Sequence, residues 1–194
     1  DILSSDIFTQ GVFPMILRKF CPSDFPEILD LFQNTIRSVN CRDYNADQIR
    51  VWSNGRKRLK SQLEHFSSLY TVVAERPAEI QQPIFGASAP ASSLETKGQI
   101  VGYGNIDDNG YLDHLYVHKD FQGKGIASRI LEKLESHARS VGCAEIEVHA
   151  SITAKGFFEK YGYTVCKKQT VEREGIGLEN FVMRKGLSSS IPVA

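Results

Sequence analysis

Residues 122–125, with the sequence Gln-Gly-Lys-Gly, form the stretch of this chain whose residue types and spacing most clearly suggest chemistry. A stripe of apolar residues with helical spacing follows, and the first carboxylate after the turn is Glu132. The start of a helix presents unpaired backbone N–H groups and the positive end of the helix dipole, so it attracts anions. Most helices place Ser, Asp or Glu there, whereas this one has Lys124 and Arg129 nearby. The turn therefore has the chemistry of a phosphate-binding loop, although a tight strand-to-helix connection would use the same glycines.

Two general phosphate-binding motifs match this turn poorly. A Walker A loop requires lysine directly after its last glycine, and Gly125 is followed by Ile126, which excludes it. The dinucleotide fingerprint GxGxxG is matched by Gly123 and Gly125, with Glu147 at a plausible distance downstream. Ser128 replaces its third glycine, so dinucleotide binding stays open only as a weak alternative.

Composition limits the classes of protein to which the chain can belong. Its 194 residues suit one domain with a proper core. The 23 basic residues balance the 23 acidic ones, which argues against nucleic acid or an anionic membrane as a partner. The four cysteines are scattered without a CxxC pair, and the first residues do not resemble a signal peptide, so we expect a cytoplasmic protein.

Apolar periodicity predicts the elements that must hold the turn in place. A first helix is predicted after residue 22, and a second helical region covers about 46–66 with a break near 54–55. A long helix is predicted at 125–141 and a short one at 153–161. Strands are predicted at 16–20, 69–75, 99–106, 111–117, 145–149, 163–171 and 178–184. Asn109-Gly110 predicts a hairpin turn, and 77–98 reads as a mobile hairpin insertion. The order predicts a mixed α/β fold with one central sheet.

Two stretches of the sequence carry a resemblance to the GNAT superfamily of N-acetyltransferases. Residues 122–127 resemble its (Arg/Gln)-x-x-Gly-x-(Gly/Ala) motif, and residues 151–163, SITAKGFFEKYGY, resemble its Asn-x-x-Ala-x-x-Leu-Tyr-Glu-Lys-x-Gly-Phe stretch. Residues 112–121 and 178–187 are similar to its fourth strand and its closing strand. The likeness is greatest to bacterial members with FFEK in place of LYEK. It implies a single domain at 15–187, with 1–14 as an extension or expression remnant and 188–194 as a tail.

The resemblance implies a fold and a co-substrate. The fold is a mostly antiparallel central sheet with splayed fourth and fifth strands and helices on both faces, and the co-substrate is acetyl-CoA. Backbone groups of Leu115, Tyr116 and Val117 would pair with the pantetheine arm, Ser151 would lie near that arm, and Phe158 near the thioester sulfur. The pyrophosphate would be held by the turn amides of Gln122, Gly123, Lys124, Gly125, Ile126, Ala127 and Ser128.

The implied reaction is direct acetyl transfer to a primary amine of a small molecule or peptide. It requires removal of a proton from the ammonium, a hydrogen-bond donor for the oxyanion and stabilisation of the thiolate. Asp113 and His114 are candidates for the first task, and as strand neighbours we expect them to face opposite sides, with only one in the cleft. Phe158 has no proton to give, so Tyr161, three residues on, and solvent are the candidates for the last task.

Other assignments remain open at this point. A non-catalytic acyl-CoA-binding or sensing module is an alternative to an enzyme, because Phe158 replaces the usual tyrosine. The histidines at 65, 118, 137 and 149 show no mutual spacing of metal ligands, so no metal is predicted. The acceptor pocket should come from residues 22–66 and from the hairpin that ends at Gly110, with Tyr44, Arg50 and Trp52 as candidates. The protein would be a monomer or a homodimer.

Overall fold

The computed structural model describes residues 13–54, 63–78 and 98–187. The predicted tail at 188–194 lies wholly outside these ranges. Most of the predicted insertion at 77–98 and most of the predicted extension at 1–14 also lie outside them. The proposed domain boundaries therefore stay predictions.

Seven strands of the described residues form one sheet in the order β1-β2-β3-β4-β5-β7-β6. All neighbours are antiparallel except β4 and β5, which are parallel. The strands are β1 Ile16–Lys19, β2 Tyr70–Arg76, β3 Gln99–Ile106, β4 Tyr111–Val117, β5 Glu145–Ser151, β6 Thr164–Arg173 and β7 Ile176–Gly186. The predicted fold class, with a mostly antiparallel central sheet, is confirmed.

Helices cover both faces of this sheet, as predicted. They are α1 Phe25–Ser38, α2 Ala46–Ser53, α3 Leu63–Ser68, α4 Ile126–Ser140 and α5 Ile152–Lys160. On one face α4 buries its apolar stripe, which includes Ile130 and Leu134, against β2, β3 and β4. On the other face α1 and α3 pack on Val73, Ile100 and Tyr103. Each helix thus buries the stripe that the 3.6-residue period marks in the sequence.

Glycines in β3 allow α4 to lie close to the sheet. A Cβ atom on Gly102 would lie 2.8 Å from the Ile126 side chain, and one on Gly104 would lie 2.8 Å from Ile130. Both distances are well inside van der Waals contact. The first turn of α4 is therefore held directly over β3, beside the end of β4.

The parallel pair β4 and β5 diverges soon after it begins. Only Tyr111 and Leu112 of β4 are paired with β5, opposite Glu147 and Val148. Beyond them, no strand of the described residues is paired with the edge of β4 that faces β5. This divergence is the splay that the resemblance implied, and it opens the sheet at its centre.

Candidate active site

The gap between β4 and β5 is a cleft of about 620 Å³. Side chains from all five helices α1 to α5 line it, together with residues of the four strands β4, β5, β6 and β7. The residues that line the cleft include Phe32, Thr35, Tyr44, Trp52, His65, Tyr111, Asp113, His114, Leu115, Tyr116, Val117, Gln122, Ala127, Ser151, Phe157, Phe158, Arg173, Glu179 and Asn180. Most of the residues predicted for the site from the sequence are therefore brought together in one cavity.

A β-bulge at Asp113 corrects the expectation that only one of Asp113 and His114 faces the cleft. Leu112 is paired with Ile106 and His114 with Asn105, so Asp113 is an extra residue in β4. A bulge interrupts the alternation of side chains along a strand. Both residues consequently line the cleft, and the Nδ1 atom of His114 lies 3.5 Å from the Oδ2 atom of Asp113.

Asn105 fixes this bulge from the neighbouring strand. Its side chain is fully buried, and its Oδ1 atom accepts a 2.9 Å hydrogen bond from the backbone N–H of His114. Its Nδ2 atom lies 3.4 Å from the Nδ1 atom of His114. Asn105 thus holds the backbone of His114 and lies beside its ring. Sequence analysis missed this role, because an asparagine in a strand has no distinguishing spacing.

Aromatic rings surround His114 and determine its charge state. The rings of Phe32, Phe66, Tyr103 and Tyr116 have their centroids 6.2, 5.7, 5.9 and 5.8 Å from the imidazole. Burial lowers the pKa of His114 below its ordinary value of 6.5, and the nearby Asp113 carboxylate opposes that shift only in part. His114 is therefore a neutral imidazole at pH 7 and can accept a proton.

Asp113 lies between two imidazoles. Besides the contact with His114, its Oδ2 atom lies 3.8 Å from the Nε2 atom of His65 in α3. The His65 side chain is 53% exposed, whereas that of His114 is 16% exposed. The three groups extend from the buried part of the cleft to its mouth.

The backbone groups that the open edge of β4 presents to the cleft differ from the prediction at one residue, Tyr116. The N–H of His118 bonds to the carbonyl of Val101, and backbone groups in an antiparallel ladder point to the partner strand at every second residue. The backbone of Tyr116, paired with Tyr103, therefore bonds to β3. Leu115 and Val117 direct their backbone groups at the cleft, so the predicted backbone role is corrected for Tyr116.

The carbonyl of Val117 already has partners within the protein. It accepts hydrogen bonds from the Thr35 hydroxyl at 3.0 Å and from the side-chain amide of Gln122 at 2.6 Å. Val117 therefore offers a ligand its N–H rather than its carbonyl. The side chain of Gln122 thereby holds the start of the turn against the end of β4.

The glycine turn has the conformation and the space of an anion site. Gly123 and Gly125 have φ values of +73° and +76°, a region that side chains other than glycine rarely adopt. A Cβ atom on Gly123 would have no neighbour within 4 Å, and one on Gly125 would meet only the Ser128 hydroxyl, at 3.9 Å. No side chain caps the start of α4 at Gly125, and its first turn contains no acidic residue. The N–H groups of this turn are thus free of the caps that most helices carry.

Lys124 does not direct its charge into the cleft. Its Nζ atom lies 5.1 Å from the centre of the Phe13 ring and 5.8 Å from that of Phe121. These are distances of a cation–π interaction. The backbone of Lys124, rather than its ammonium group, is what the turn contributes.

At the other wall of the cleft, α5 contributes Ser151 and Phe158. The Ser151 hydroxyl caps this helix by accepting a 3.1 Å hydrogen bond from the N–H of Ala154, which leaves its proton for a ligand. Phe158 is 3% exposed and lies against Phe157 and Tyr163 with ring centroids at 5.3 and 5.1 Å.

Tyr161 does not line the cleft. Its ring packs against Phe157 at 4.8 Å, at the C-terminal end of α5. The sequence hypothesis that it protonates the thiolate stays a prediction, and the structure does not bring its hydroxyl to the other site residues.

Of the three candidates for the acceptor pocket, two line the cleft. Tyr44 and Trp52 pack edge to face at 5.0 Å, and the Tyr44 hydroxyl donates to the carbonyl of Glu179 at 2.7 Å and accepts from the N–H of Ile152 at 2.9 Å. Tyr44 therefore ties α5 to β7. Arg50 lies outside the cleft, in a shallower hollow beside α2.

Sequence analysis missed two polar residues of the cleft, Arg173 and Asn180. Both come from the β6–β7 pair, far along the chain from the motifs. The Oδ1 atom of Asn180 is buried and has no hydrogen-bond partner among the residues that the structure describes, so it is available to a donor on a ligand. Neither residue has a local pattern that would have marked it.

Comparison with known proteins matches this geometry to a family. The sequence profile described as the acetyltransferase (GNAT) domain matches residues 41–185. The chain belongs to the GNAT acetyltransferase family. The predicted family and the predicted N-acetyltransferase activity are thereby confirmed.

Relatives of this GNAT chain cover nearly its whole length. The uncharacterized N-acetyltransferase YafP of Escherichia coli K12 is 27% identical over 169 residues, which is 87% of this chain and 93% of YafP. A GCN5-related N-acetyltransferase from Rhodopseudomonas palustris has a TM-score of 0.75 at 24% identity, with 93% of this chain and 100% of that chain covered. At such identity the structural likeness shows the fold.

Two further structures that share the GNAT fold contain coenzyme A or its acetyl thioester. The Thermoplasma acidophilum PaiA N-acetyltransferase, in complex with coenzyme A, has a TM-score of 0.61 at 15% identity, with 89% of this chain and 99% of that chain covered. The Salmonella typhimurium protein YncA, with acetyl-CoA, has a TM-score of 0.56 at 17% identity, with 89% and 93% covered.

The weak dinucleotide interpretation of the glycine turn is wrong for this GNAT fold. A doubly wound nucleotide fold needs a mostly parallel sheet, whereas the only parallel neighbours among the described strands are β4 and β5. Glu147, the residue that would bind a ribose, is paired with Arg184 at 2.7 Å.

The described residues contain neither a metal-binding cluster nor a membrane-spanning helix. Within those ranges, no group of three or more His, Cys, Asp and Glu side chains could hold a metal ion. Among the helices described, none is both long and apolar enough to cross a membrane.

Proposed function

We propose that this protein transfers the acetyl group of acetyl-CoA to a primary amine of a small molecule or a peptide by direct attack of the amine. The observation that carries the proposal is a cleft that contains the open edge of β4 and a neutral His114, with the uncapped glycine turn between the two lining residues Gln122 and Ala127. When bound, acetyl-CoA would supply an activated acetyl thioester. The residues of the chain have to bind it, exclude water and handle protons.

Three features fit an acetyl-CoA molecule along the cleft. The N–H groups of the turn between Gly123 and Ser128 are suited to the pyrophosphate, since they are uncapped and have open space above the two glycines. The open edge of β4 at Leu115 and Val117 is suited to the amide groups of pantetheine. The orphaned Oδ1 atom of Asn180 accepts a donor, which would satisfy a buried polar atom that otherwise costs stability.

The acetyl end of the ligand would lie where β4 and β5 part. An N–H group on the open edge, from Leu115 or Val117, is suited to bond the carbonyl oxygen of the acetyl group. Phe158 closes the floor of the cleft beside it and has no group that exchanges protons. Water at the mouth of the cleft, rather than a tyrosine, is then the proton source for the released thiol.

Proton removal from the amine belongs to His114 in this proposal. The carboxylate of Asp113 and the amide Nδ2 atom of Asn105 both lie on the Nδ1 side of the ring, at 3.5 and 3.4 Å. In this proposal the charged acceptor prevails over the long amide contact, so the reacting tautomer carries its proton on Nδ1. The Nε2 atom then has a free lone pair for the proton of the incoming ammonium. Asp113 and His65 lead from this ring to the mouth of the cleft.

The test is turnover with acetyl-CoA and a panel of amines, polyamines, aminoglycosides and peptides. Acetylated products are detected by mass spectrometry, because exposed Cys21, Cys41 and Cys166 would react with a thiol reagent. We expect products with the wild type and at least ~10²-fold slower turnover with His114→Gln.

If no acetylated product forms, calorimetry with coenzyme A shows whether the chain lacks catalysis or lacks binding of the co-substrate. Binding without any acetylated product would favour the non-catalytic acyl-CoA module. A chain that binds no coenzyme A would refute the co-substrate itself.

A further inference from the structure

The second strand pair, β6 and β7, ends in a hairpin whose tip reaches over the acceptor side of the cleft. Arg173 is the last residue of β6 and is paired with Ile176, the first of β7. The turn between them has Glu174 at φ +52° and Gly175 at φ +76°. This tip is more than fifty residues along the chain from His114, so only the tertiary fold brings the two together.

The helix α2 and the segment before it hold this hairpin tip in place. The side-chain amide of Gln48 donates to the carbonyl of Gly177 at 2.8 Å, and the Tyr44 hydroxyl donates to the carbonyl of Glu179 at 2.7 Å. Leu178 is buried with Tyr44 and Val51 in a small apolar cluster. The hairpin that carries Arg173 is therefore held against α2 through residues of β7.

Arg173 lines the cleft without a carboxylate partner in any part of the chain that the structure describes. Two acidic residues of the same hairpin pair elsewhere: Glu174 lies 3.7 Å from Arg50, and Glu179 lies 2.8 Å from Lys168. A half-buried guanidinium in a cavity normally has an anionic partner, since desolvation of its charge is otherwise uncompensated. In this cleft the partner can come from a ligand.

The field of Arg173 reaches the groups around the proposed base. Burial is the largest influence on the pKa of Tyr116 and raises it, and the Arg173 charge is the next and lowers it. Burial also lowers the pKa of His114, where Arg173 acts in the same direction as burial. One cation and one carboxylate, Arg173 and Asp113, thus flank a wall of aromatic rings within a single cleft.

We propose that the acceptor is an amino acid or a similar small zwitterion, whose carboxylate binds the guanidinium of Arg173 while its amine lies at Asp113 and His114. Arginine offers a planar fork of donors that matches a carboxylate. A phosphate dianion is disfavoured, because Asp113 and Glu179 line the same cleft and His114 is neutral. This assignment rests on the proposed acetyl transfer and names the class of its acceptor.

The test compares amines in pairs that differ only in the carboxylate. Phenylalanine is compared with phenethylamine, leucine with isoamylamine, and methionine with 3-(methylthio)propylamine, each with saturating acetyl-CoA. We expect kcat/KM for the carboxylated member to be at least about tenfold higher in at least one pair. Arg173→Gln should remove that preference, so that kcat/KM falls at least about tenfold more for the carboxylated member than for the plain amine. Arg173→Lys, which keeps the charge but not the fork, should retain part of the preference.

Arg184→Gln is the matched control, since Arg184 lies in β7 outside the cleft lining and pairs with Glu147. It should leave the preference unchanged. Calorimetry of each amino acid with the coenzyme A complex provides a readout that does not need turnover. The inference is overturned if no carboxylated member turns over faster or binds more tightly than its partner, or if Arg173→Gln keeps the preference. Equal acetylation of both members would overturn the inference and leave acetyl transfer standing.

Discussion

The Nδ1 atom of His114 lies 3.5 Å from the Oδ2 atom of Asp113, although the two residues are neighbours on one strand. Regular alternation would place them on opposite faces of the sheet. The bulge at Asp113 turns both toward the cleft, and Asn105 holds the bulge through the N–H of His114. A carboxylate thereby lies beside an imidazole that is surrounded by aromatic rings.

Replacement of His114 by glutamine should remove the acid-side limb of the pH profile of kcat/KM. Burial lowers the pKa of His114 below 6.5, so the base is lost by protonation only below that pH, and the wild-type limb should lie there. The variant should show a flat profile and ~10²-fold or lower activity. The measurement is kcat/KM between pH 5 and 8 with one acceptor. An unchanged limb in His114→Gln would assign proton removal to another group.

The same lowered pKa makes a prediction for stability. The unfolded chain binds a proton to His114 more readily than the native protein does. The contribution of the neutral imidazole to the free energy of unfolding is therefore complete above pH 6.5 and declines as the pH falls below that value. Thermal melts of the wild type and His114→Gln should converge as the pH is lowered from 7.5 to 5.5. A constant difference between them would show that the imidazole is not desolvated in the native state.

Replacement of Asp113 by asparagine should move the acid-side limb to lower pH. The Asp113 charge opposes the effect of burial on the pKa of His114, so its removal lets that pKa fall further. We expect a smaller loss of kcat/KM than in His114→Gln, since the imidazole remains. The pH profile of Asp113→Asn, measured beside the wild type, checks the direction. A limb that moves to higher pH contradicts this account of the pair.

Replacement of Gly125 by aspartate should weaken binding of coenzyme A at least tenfold, which is ~1.4 kcal/mol. The new carboxylate would repel the pyrophosphate, and the positive φ of +76° would strain the backbone. Gly142→Asp is the matched control, because Gly142 has a φ of +87° at the other end of α4 with open space around it. Calorimetry should show unchanged affinity in the control. Equal affinities of the two variants would exclude the turn as the pyrophosphate site.

Replacement of Tyr161 by phenylalanine should leave kcat unchanged under a substrate for which chemistry is limiting. The Tyr161 ring packs on Phe157 outside the cleft lining, whereas a lost general acid costs ~10²-fold or more. Phe158→Tyr, in the cleft itself, is the companion variant that would introduce a hydroxyl beside the sulfur. A ~10²-fold loss in Tyr161→Phe would restore the sequence hypothesis that this phenol is the acid.

The sequence by itself determined the elements and the family of this protein. Strands β3 and β4 begin and end where alternation and the Asn109-Gly110 turn predict, and α4 begins after the glycine turn. These features depend on local periodicity and backbone preference, which the residues encode one after another. The sequence also predicts that no side chain caps the start of α4, because no carboxylate occurs between the glycine turn and Glu132.

Only the tertiary structure decided which side chains face the cleft and which charge His114 carries. The bulge at Asp113 depends on the register between β3 and β4, and the neutral state of His114 depends on rings from α1, α3 and β3. Arg173 enters the cleft because α2 packs on the β6–β7 hairpin. Each outcome results from contacts between segments distant in the chain or from packing of whole elements. No spacing of residues along the sequence encodes such contacts.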